Sequence, residues 1–283
     1  MSTPLPSLSA AIAAALLTAD PRAKTMAARD AARDWRLGRL ALTFDTPMPD
    51  RPAWPDAPQL RDPRDMPRRT MGRGKGGAEK GRIALWHALA HIEFVAIDLA
   101  LDMAGRFGAQ MGREFVSDFM AVAADEAMHF ALLDRKLRRM GSHYGALPAH
   151  AGLWETAART SHDVAARLAI VPMVLEARGL DVTPAMLERV RAQGDSGGAK
   201  ILERILDDEI RHVAIGTKHF IAHCENSDCE DSERLPGDLP QSPQERWKSL
   251  VREHFRGGLK APFNDSARLA AGLSRDFYDS LAS

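Results

Sequence analysis

Apolar residues recur along most of this chain with the spacing of a helix face, and stretches that alternate as a strand would are nearly absent. Aromatic residues make up only 6% of the chain. The pattern predicts an almost wholly helical protein. The periodicity is strongest after Gly81, where glycine-rich breaks separate four predicted long helices, at 82–107, 113–140, 162–178 and 199–224.

Four long helices within one continuous stretch are typical of a four-helix bundle. We therefore predict an all-α protein in which residues 82–224 form the bundle. The preceding part, 1–81, should hold Ala-rich helices broken at Asp20-Pro21, followed by a Pro- and Arg-rich extended arm. The part that follows, 225–283, should be a polar loop and a helical extension.

The third predicted helix contains a proline. Pro172 lies four residues before Glu176 and should kink the helix there. A short interlude at 184–192 is expected to separate this helix from the fourth.

Charge and cysteine content limit the classes of protein. Lys and Arg number 38, as do Asp and Glu, and this balance argues against a dedicated nucleic-acid binder or a polybasic membrane binder. Two cysteines are too few for a disulfide framework and predict a reducing, cytoplasmic location. The stretch 83–104 has membrane length but holds five ionisable side chains, so we expect a core helix and no membrane partner.

The arm at 51–82 is locally basic, with nine Lys or Arg residues against four acids. A solvated arm is the favoured interpretation of this excess. Contact with RNA stays open as the alternative, because clustered cations on an extended segment can bind phosphates.

Two copies of the pattern Asp-Glu-x-x-His occur inside predicted helices, at 125–129 and 208–212. Positions i and i+3 share a helix face, so Glu126 and His129 can bind one metal ion, and Glu209 and His212 another. The preceding aspartates, at positions 125 and 208, are candidates to orient the histidines.

The other two long helices each place one glutamate on an apolar stripe, Glu93 and Glu176. Each lies 33 residues before the glutamate of the next Glu-x-x-His pair. This order is the ligand set with which four-helix bundles hold two metal ions. The predicted ligands are Glu93, Glu126, His129, Glu176, Glu209 and His212. Oxygen and imidazole donors without thiolate favour two iron ions, or iron and manganese.

Several motifs together resemble a known group of proteins. They are Ala88-Leu-Ala-His-Ile-Glu93, Asp125-Glu-Ala-Met-His129, Leu175-Glu-Ala-Arg-Gly-Leu-Asp181, Asp208-Glu-Ile-Arg-His-Val213 and Ala261-Pro-Phe-Asn264. With them the chain resembles the ferritin-like di-iron carboxylate superfamily and, more narrowly, the bacterial family catalogued as domain of unknown function 455. The resemblance covers most of the chain and implies a ferritin-like bundle with a dinuclear site.

The resemblance and the ligand set together predict a non-haem di-iron oxidoreductase that activates dioxygen or peroxide. Such an enzyme would need a small-molecule substrate and an electron-donor protein. Two alternatives stay open: an iron-handling protein without organic substrate, and a tRNA-hydroxylase-like enzyme that reads RNA with its basic arm. A homodimer is also open. Tyr144 lies 15 residues beyond His129, which argues against a radical-generating reductase.

Overall fold

The computed structural model describes residues 4–66, 75–230 and 241–282. Within these ranges the protein is all-α, as predicted, and its β pairing is limited to three isolated bridges. The chain forms two compact units, residues 1–155 and 156–283. The four-helix bundle and the boundaries at residues 81 and 224 stay predictions.

The first unit begins with two short helices, α1 (Leu8–Leu16) and α2 (Pro21–Arg36). The predicted break at Asp20-Pro21 is confirmed. The Asp20 side chain accepts a hydrogen bond of 2.7 Å from the Ala23 amide and caps α2, while Pro21 occupies the first turn, where its missing N–H does no harm.

The long element α3 (Lys75–Arg139) contains both predicted helices of this unit. It begins at Lys75, so the prediction that the helix starts at residue 82 was wrong. At Gly112 the backbone leaves the helical conformation, with φ of 84°. Glycine tolerates that conformation because it has no Cβ. The chain turns back here, and the rings of Phe94 and Phe130 come within 5.4 Å of each other.

Part of α3, residues 79–139, is long and apolar enough to cross a membrane by length and composition. However, 67% of its most apolar window is buried inside the structure. A core helix passes the same test, and this burial agrees with the core helix expected at 83–104.

The proline-rich arm is fixed to the first unit. The Trp54 side chain donates a hydrogen bond of 2.7 Å to Asp98 on α3, and the Lys24 ammonium donates one of 3.0 Å to the Ala53 carbonyl. The expectation of a solvated arm is therefore wrong around residues 52–54. Arg68, Arg69 and Arg73, on which RNA contact would also depend, lie outside the described residues.

Beyond α4 (Gly152–Ala158), the second unit is a run of helices. They are α5 (Val164–Ile170), a π-helix (Val171–Glu176), α6 (Ala177–Ala192), α7 (Ser196–Glu230), α8 (Pro243–His254), α9 (Asp265–Ala270) and α10 (Arg275–Tyr278). The predicted interlude at 184–192 was wrong, because α6 continues through Pro184 to Ala192.

The kink expected at Pro172 takes the form of the six-residue π-helix. Proline has no N–H to donate and its ring crowds the preceding turn, so the regular hydrogen-bond ladder cannot continue through it. Wider turns of this kind occur frequently at functional sites. Glu176, a predicted ligand, is the last residue of this π-helix.

Candidate metal centre

The first unit brings three predicted ligands together. Glu93 lies on α3 before the turn at Gly112, and Glu126 and His129 lie after it. The Nδ1 atom of His129 is 3.2 Å from a Glu93 oxygen and 3.3 Å from a Glu126 oxygen. Their ligand atoms all lie within 4.8 Å of one another, which is close enough to hold one metal ion.

These three side chains are buried among apolar residues, with exposed fractions of 4% for Glu93 and 0% for Glu126 and His129. Val122 and Leu133, one turn to either side of the Glu126 and His129 pair, are also buried. A carboxylate in such surroundings is costly unless a cation or a proton neutralises it.

Without a metal ion, Glu93 and His129 hold their protons more tightly than exposed side chains do. Burial and the neighbouring Glu126 raise the pKa of Glu93 to about 8, despite the hydrogen bond with His129. Burial lowers the pKa of His129, but hydrogen bonds to Glu126 and Glu93 outweigh this and raise it to about 12. A divalent cation can displace these protons, so the donors present fit a metal ion.

The second unit brings Glu209 and His212 to one face of α7. The Nδ1 atom of His212 lies 4.0 Å from a Glu209 oxygen, and both side chains are buried. Gly216 follows one turn later and abuts Pro172, because a Cβ at Gly216 would overlap the proline ring. The π-helix that ends in half-buried Glu176 is therefore packed directly on the helix of the Glu-x-x-His pair.

The aspartates before the two pairs differ in exposure. Asp125 is half-buried, whereas Asp208 is buried and accepts hydrogen bonds from Arg204 at 2.6 Å and Arg211 at 3.0 Å. These arginines hold the Asp208 carboxylate in place beside Glu209. Orientation of a ligand histidine by either aspartate stays a prediction.

Tyr144 lies closer to the cluster than its place in the sequence suggested. Its ring packs 5.2 Å from Phe94 and 5.1 Å from Phe130, the sequence neighbours of Glu93 and His129. Its hydroxyl is 2.9 Å from Nδ1 of His91, whose Nε2 is 2.9 Å from the His150 carbonyl. A carbonyl only accepts, so Nε2 carries the proton and Nδ1 accepts from Tyr144.

A depression of about 300 Å³ lies beside the arm. Its lining mixes two arginines with two acids: Arg51, Leu60, Arg61, Asp62, Pro63, Ala151 and Glu155. Arg61 also donates hydrogen bonds to the Gln59 side chain. This part of the arm is therefore not a uniformly basic surface.

Comparison with known proteins gives two matches. The family model described as "Protein of unknown function (DUF455)" matches residues 17–279. An "Uncharacterized protein" of Haemophilus influenzae (strain ATCC 51907 / DSM 11121 / KW20 / Rd) is 41% identical over 233 residues, which is 80% of this chain and 75% of that protein. No solved structure matches the chain. These descriptions name no activity, so a functional conclusion has to come from the site.

Proposed function

The chain belongs to the DUF455 family, and on this premise we propose that it is a non-haem di-metal oxidoreductase that reacts with dioxygen or peroxide. The observation that carries the proposal is the buried cluster of Glu93, Glu126 and His129. Two carboxylates and one imidazole buried among apolar side chains suit a metal ion by their chemistry.

In this proposal Glu176, Glu209 and His212 complete a dinuclear site. The support is the repetition of the pattern, with a lone glutamate 33 residues before a Glu-x-x-His pair in each unit. The pair is buried in both units, and its side chains face the same way because they are three residues apart on a helix.

The donors favour iron, or iron with manganese, because they are oxygen and imidazole without thiolate. When bound, such ions supply the electrons that reduction of dioxygen or peroxide requires. The carboxylates neutralise the ions, and the buried apolar residues around them exclude water. The substrate is proposed to be a small molecule and the electron donor a protein, both in the cytoplasm.

Anaerobic titration of the metal-free chain with Fe(II), followed by exposure to dioxygen, tests the proposal. We expect two irons per chain and a change in the optical spectrum on oxidation. Fewer than one bound metal per chain, or unchanged binding in Glu126→Ala and Glu209→Ala, would contradict the metal centre. If the bound iron oxidises only while more iron mineralises, the protein handles iron and is not an oxidoreductase.

A further inference from the structure

A buried aspartate follows each lone glutamate at the same distance. Asp98 lies five residues after Glu93, and Asp181 five residues after Glu176. The exposed fractions are 0% for Asp98 and 5% for Asp181. Five residues correspond to a rotation of about 140° around a helix, so each aspartate lies on the side away from its glutamate.

In the first unit, Asp98 is held by the N-terminal part of the chain. The Lys24 ammonium of α2 lies 2.5 Å from an Asp98 oxygen, and neither side chain is exposed. The other Asp98 oxygen accepts a hydrogen bond of 2.7 Å from Trp54. The ammonium also lies 5.1 Å from the centre of the Phe94 ring. Helix α2 and the arm are thus both attached to Asp98, on the side of α3 that faces away from Glu93.

In the second unit, Asp181 is held by the C-terminal part in the same way. Arg268 of α9 donates two hydrogen bonds, of 2.8 and 2.7 Å, to the two Asp181 oxygens. Its guanidinium lies 4.9 Å from the Phe263 ring and 4.5 Å from the Tyr278 ring. The Asn264 amide donates a further hydrogen bond of 2.9 Å to Asp181.

We propose that these two ion pairs, Lys24–Asp98 and Arg268–Asp181, are equivalent clasps through which the terminal parts of the chain position Glu93 and Glu176 for metal binding. The inference rests on the proposed metal centre and gives the terminal parts a role in it. A buried ion pair contributes little net stability compared with an apolar pair, but it is directional. Each ion pair therefore fixes the rotation, about its own axis, of the helix that carries the predicted ligand.

Replacement of each pair by apolar residues separates positioning from stability. The variants are Lys24→Met/Asp98→Leu and Arg268→Met/Asp181→Leu, both in the full chain. The control is Arg191→Gln/Glu203→Gln, which removes an exposed ion pair of 2.5 Å between α6 and α7. In anaerobic Fe(II) titrations we expect each clasp variant to bind at least one metal about 10-fold more weakly, the lower end of the range for partners that orient metal ligands. The control should match wild type.

Hydrogen exchange of the metal-free chain tests the clasps without any metal. Loss of the Arg268 clasp should accelerate amide exchange in residues 171–181, and loss of the Lys24 clasp in residues 93–98. Asp98→Asn and Asp181→Asn, which retain the side-chain shape, replace any double variant that does not fold. Unchanged metal affinity, or faster exchange confined to the terminal parts, overturns the proposal. If wild type binds no metal, the proposed function and the positioning role both fail, and faster exchange at 93–98 or 171–181 then shows only that the pairs hold these helices.

Discussion

The two units present the same ligand pattern on different backbones. In the first unit the lone glutamate and the Glu-x-x-His pair share α3, and His129 is within 3.3 Å of both carboxylates. In the second unit Glu176 ends a π-helix, and the Glu209 and His212 atoms lie 4.0 Å apart. A π-helix aims its side chains differently from a regular helix. The second unit therefore presents Glu176 from an irregular turn, whereas the first presents Glu93 from a regular part of α3.

The strongest test of the difference between the two units removes one predicted ligand carboxylate from each, with Glu126→Gln and Glu209→Gln. Each should weaken binding of at least one metal by more than about 100-fold, since loss of a ligand should exceed the effect of an outer partner. The metal-free Glu126→Gln chain should melt at a lower temperature, because the buried imidazolium of His129 loses one of its two carboxylate partners.

Metal titration and calorimetry measure both effects, with the exposed Glu203→Gln as the control. If Glu126→Gln and Glu209→Gln bind clearly different numbers of metal ions, the two Glu-x-x-His pairs do not contribute equally to metal binding. Unchanged binding in both would remove the basis of the comparison.

The second prediction concerns pH and the first unit. The pKa of Glu93 is raised to about 8 and that of His129 to about 12, so the folded metal-free chain binds more protons than the unfolded chain. This stabilisation is complete at low pH and is lost as the pH rises, through 8 for Glu93 and towards 12 for His129.

We therefore expect the melting temperature of the metal-free chain to fall between pH 6 and pH 9, as measured by calorimetry. Metal binding, which requires the same protons to leave, should strengthen over that interval. Glu93→Gln should flatten the fall, and a melting temperature that rises with pH would contradict the protonated cluster.

The third prediction concerns the irregular backbone of the second unit. Gly216→Ala would drive a methyl group into the Pro172 ring and should lower the free energy of unfolding by about 1–3 kcal/mol, as overpacking does. Gly179→Ala, on α6 in open space, is the control and should raise it by up to about 1 kcal/mol.

In the first unit, Gly105→Ala meets the flexible Met48 side chain, which can move aside, and should cost less than Gly216→Ala. Denaturant unfolding of the three glycine variants gives the order of their free energies of unfolding. An equal loss in Gly105→Ala and Gly216→Ala would mean that the π-helix contact is no stiffer than the contact in the first unit.

The smallest expected difference is between the two indole hydrogen bonds. Trp54 donates to the Asp98 carboxylate, whereas Trp247 donates to the Ala169 carbonyl at 3.2 Å. Hydrogen bonds to charged groups contribute about 1.5–3 kcal/mol and neutral ones about 0.5–1.5 kcal/mol, so Trp54→Phe should lower the free energy of unfolding more than Trp247→Phe. Chemical denaturation measures both losses, and the reverse order would mean that the cavity left at the fully buried Trp247 costs more than the charged hydrogen bond of Trp54.

Local patterns were sufficient to predict the helical fold and the shared helix face of each Glu-x-x-His pair. Glu126 with His129, and Glu209 with His212, are three residues apart, so helical geometry alone places them on one face. The helix break at Asp20-Pro21 could also be predicted from the sequence, because capping and proline act within one helical turn.

Contacts between distant residues could not be predicted in this way. Tyr144 and His91 are 53 residues apart, and Asp181 and Arg268 are 87 apart, with no periodicity that links them. Pro172 indicated an irregular helix, but its close contact with Gly216 on another helix could not be read from the sequence. Helix α6 also continues through Pro184, although proline disfavours a helix interior.

The order of the clasp residues along the chain bears on synthesis. Lys24 precedes Asp98, so both partners of the first clasp exist as soon as residue 98 has been made. Arg268 follows Asp181 by 87 residues, a delay of roughly 4 to 17 s at typical translation rates. During that delay Asp181 lacks Arg268, although the Arg178 guanidinium, 3.6 Å away in the folded protein, is already present. Vectorial synthesis therefore favours formation of the Lys24–Asp98 pair before the Arg268–Asp181 pair.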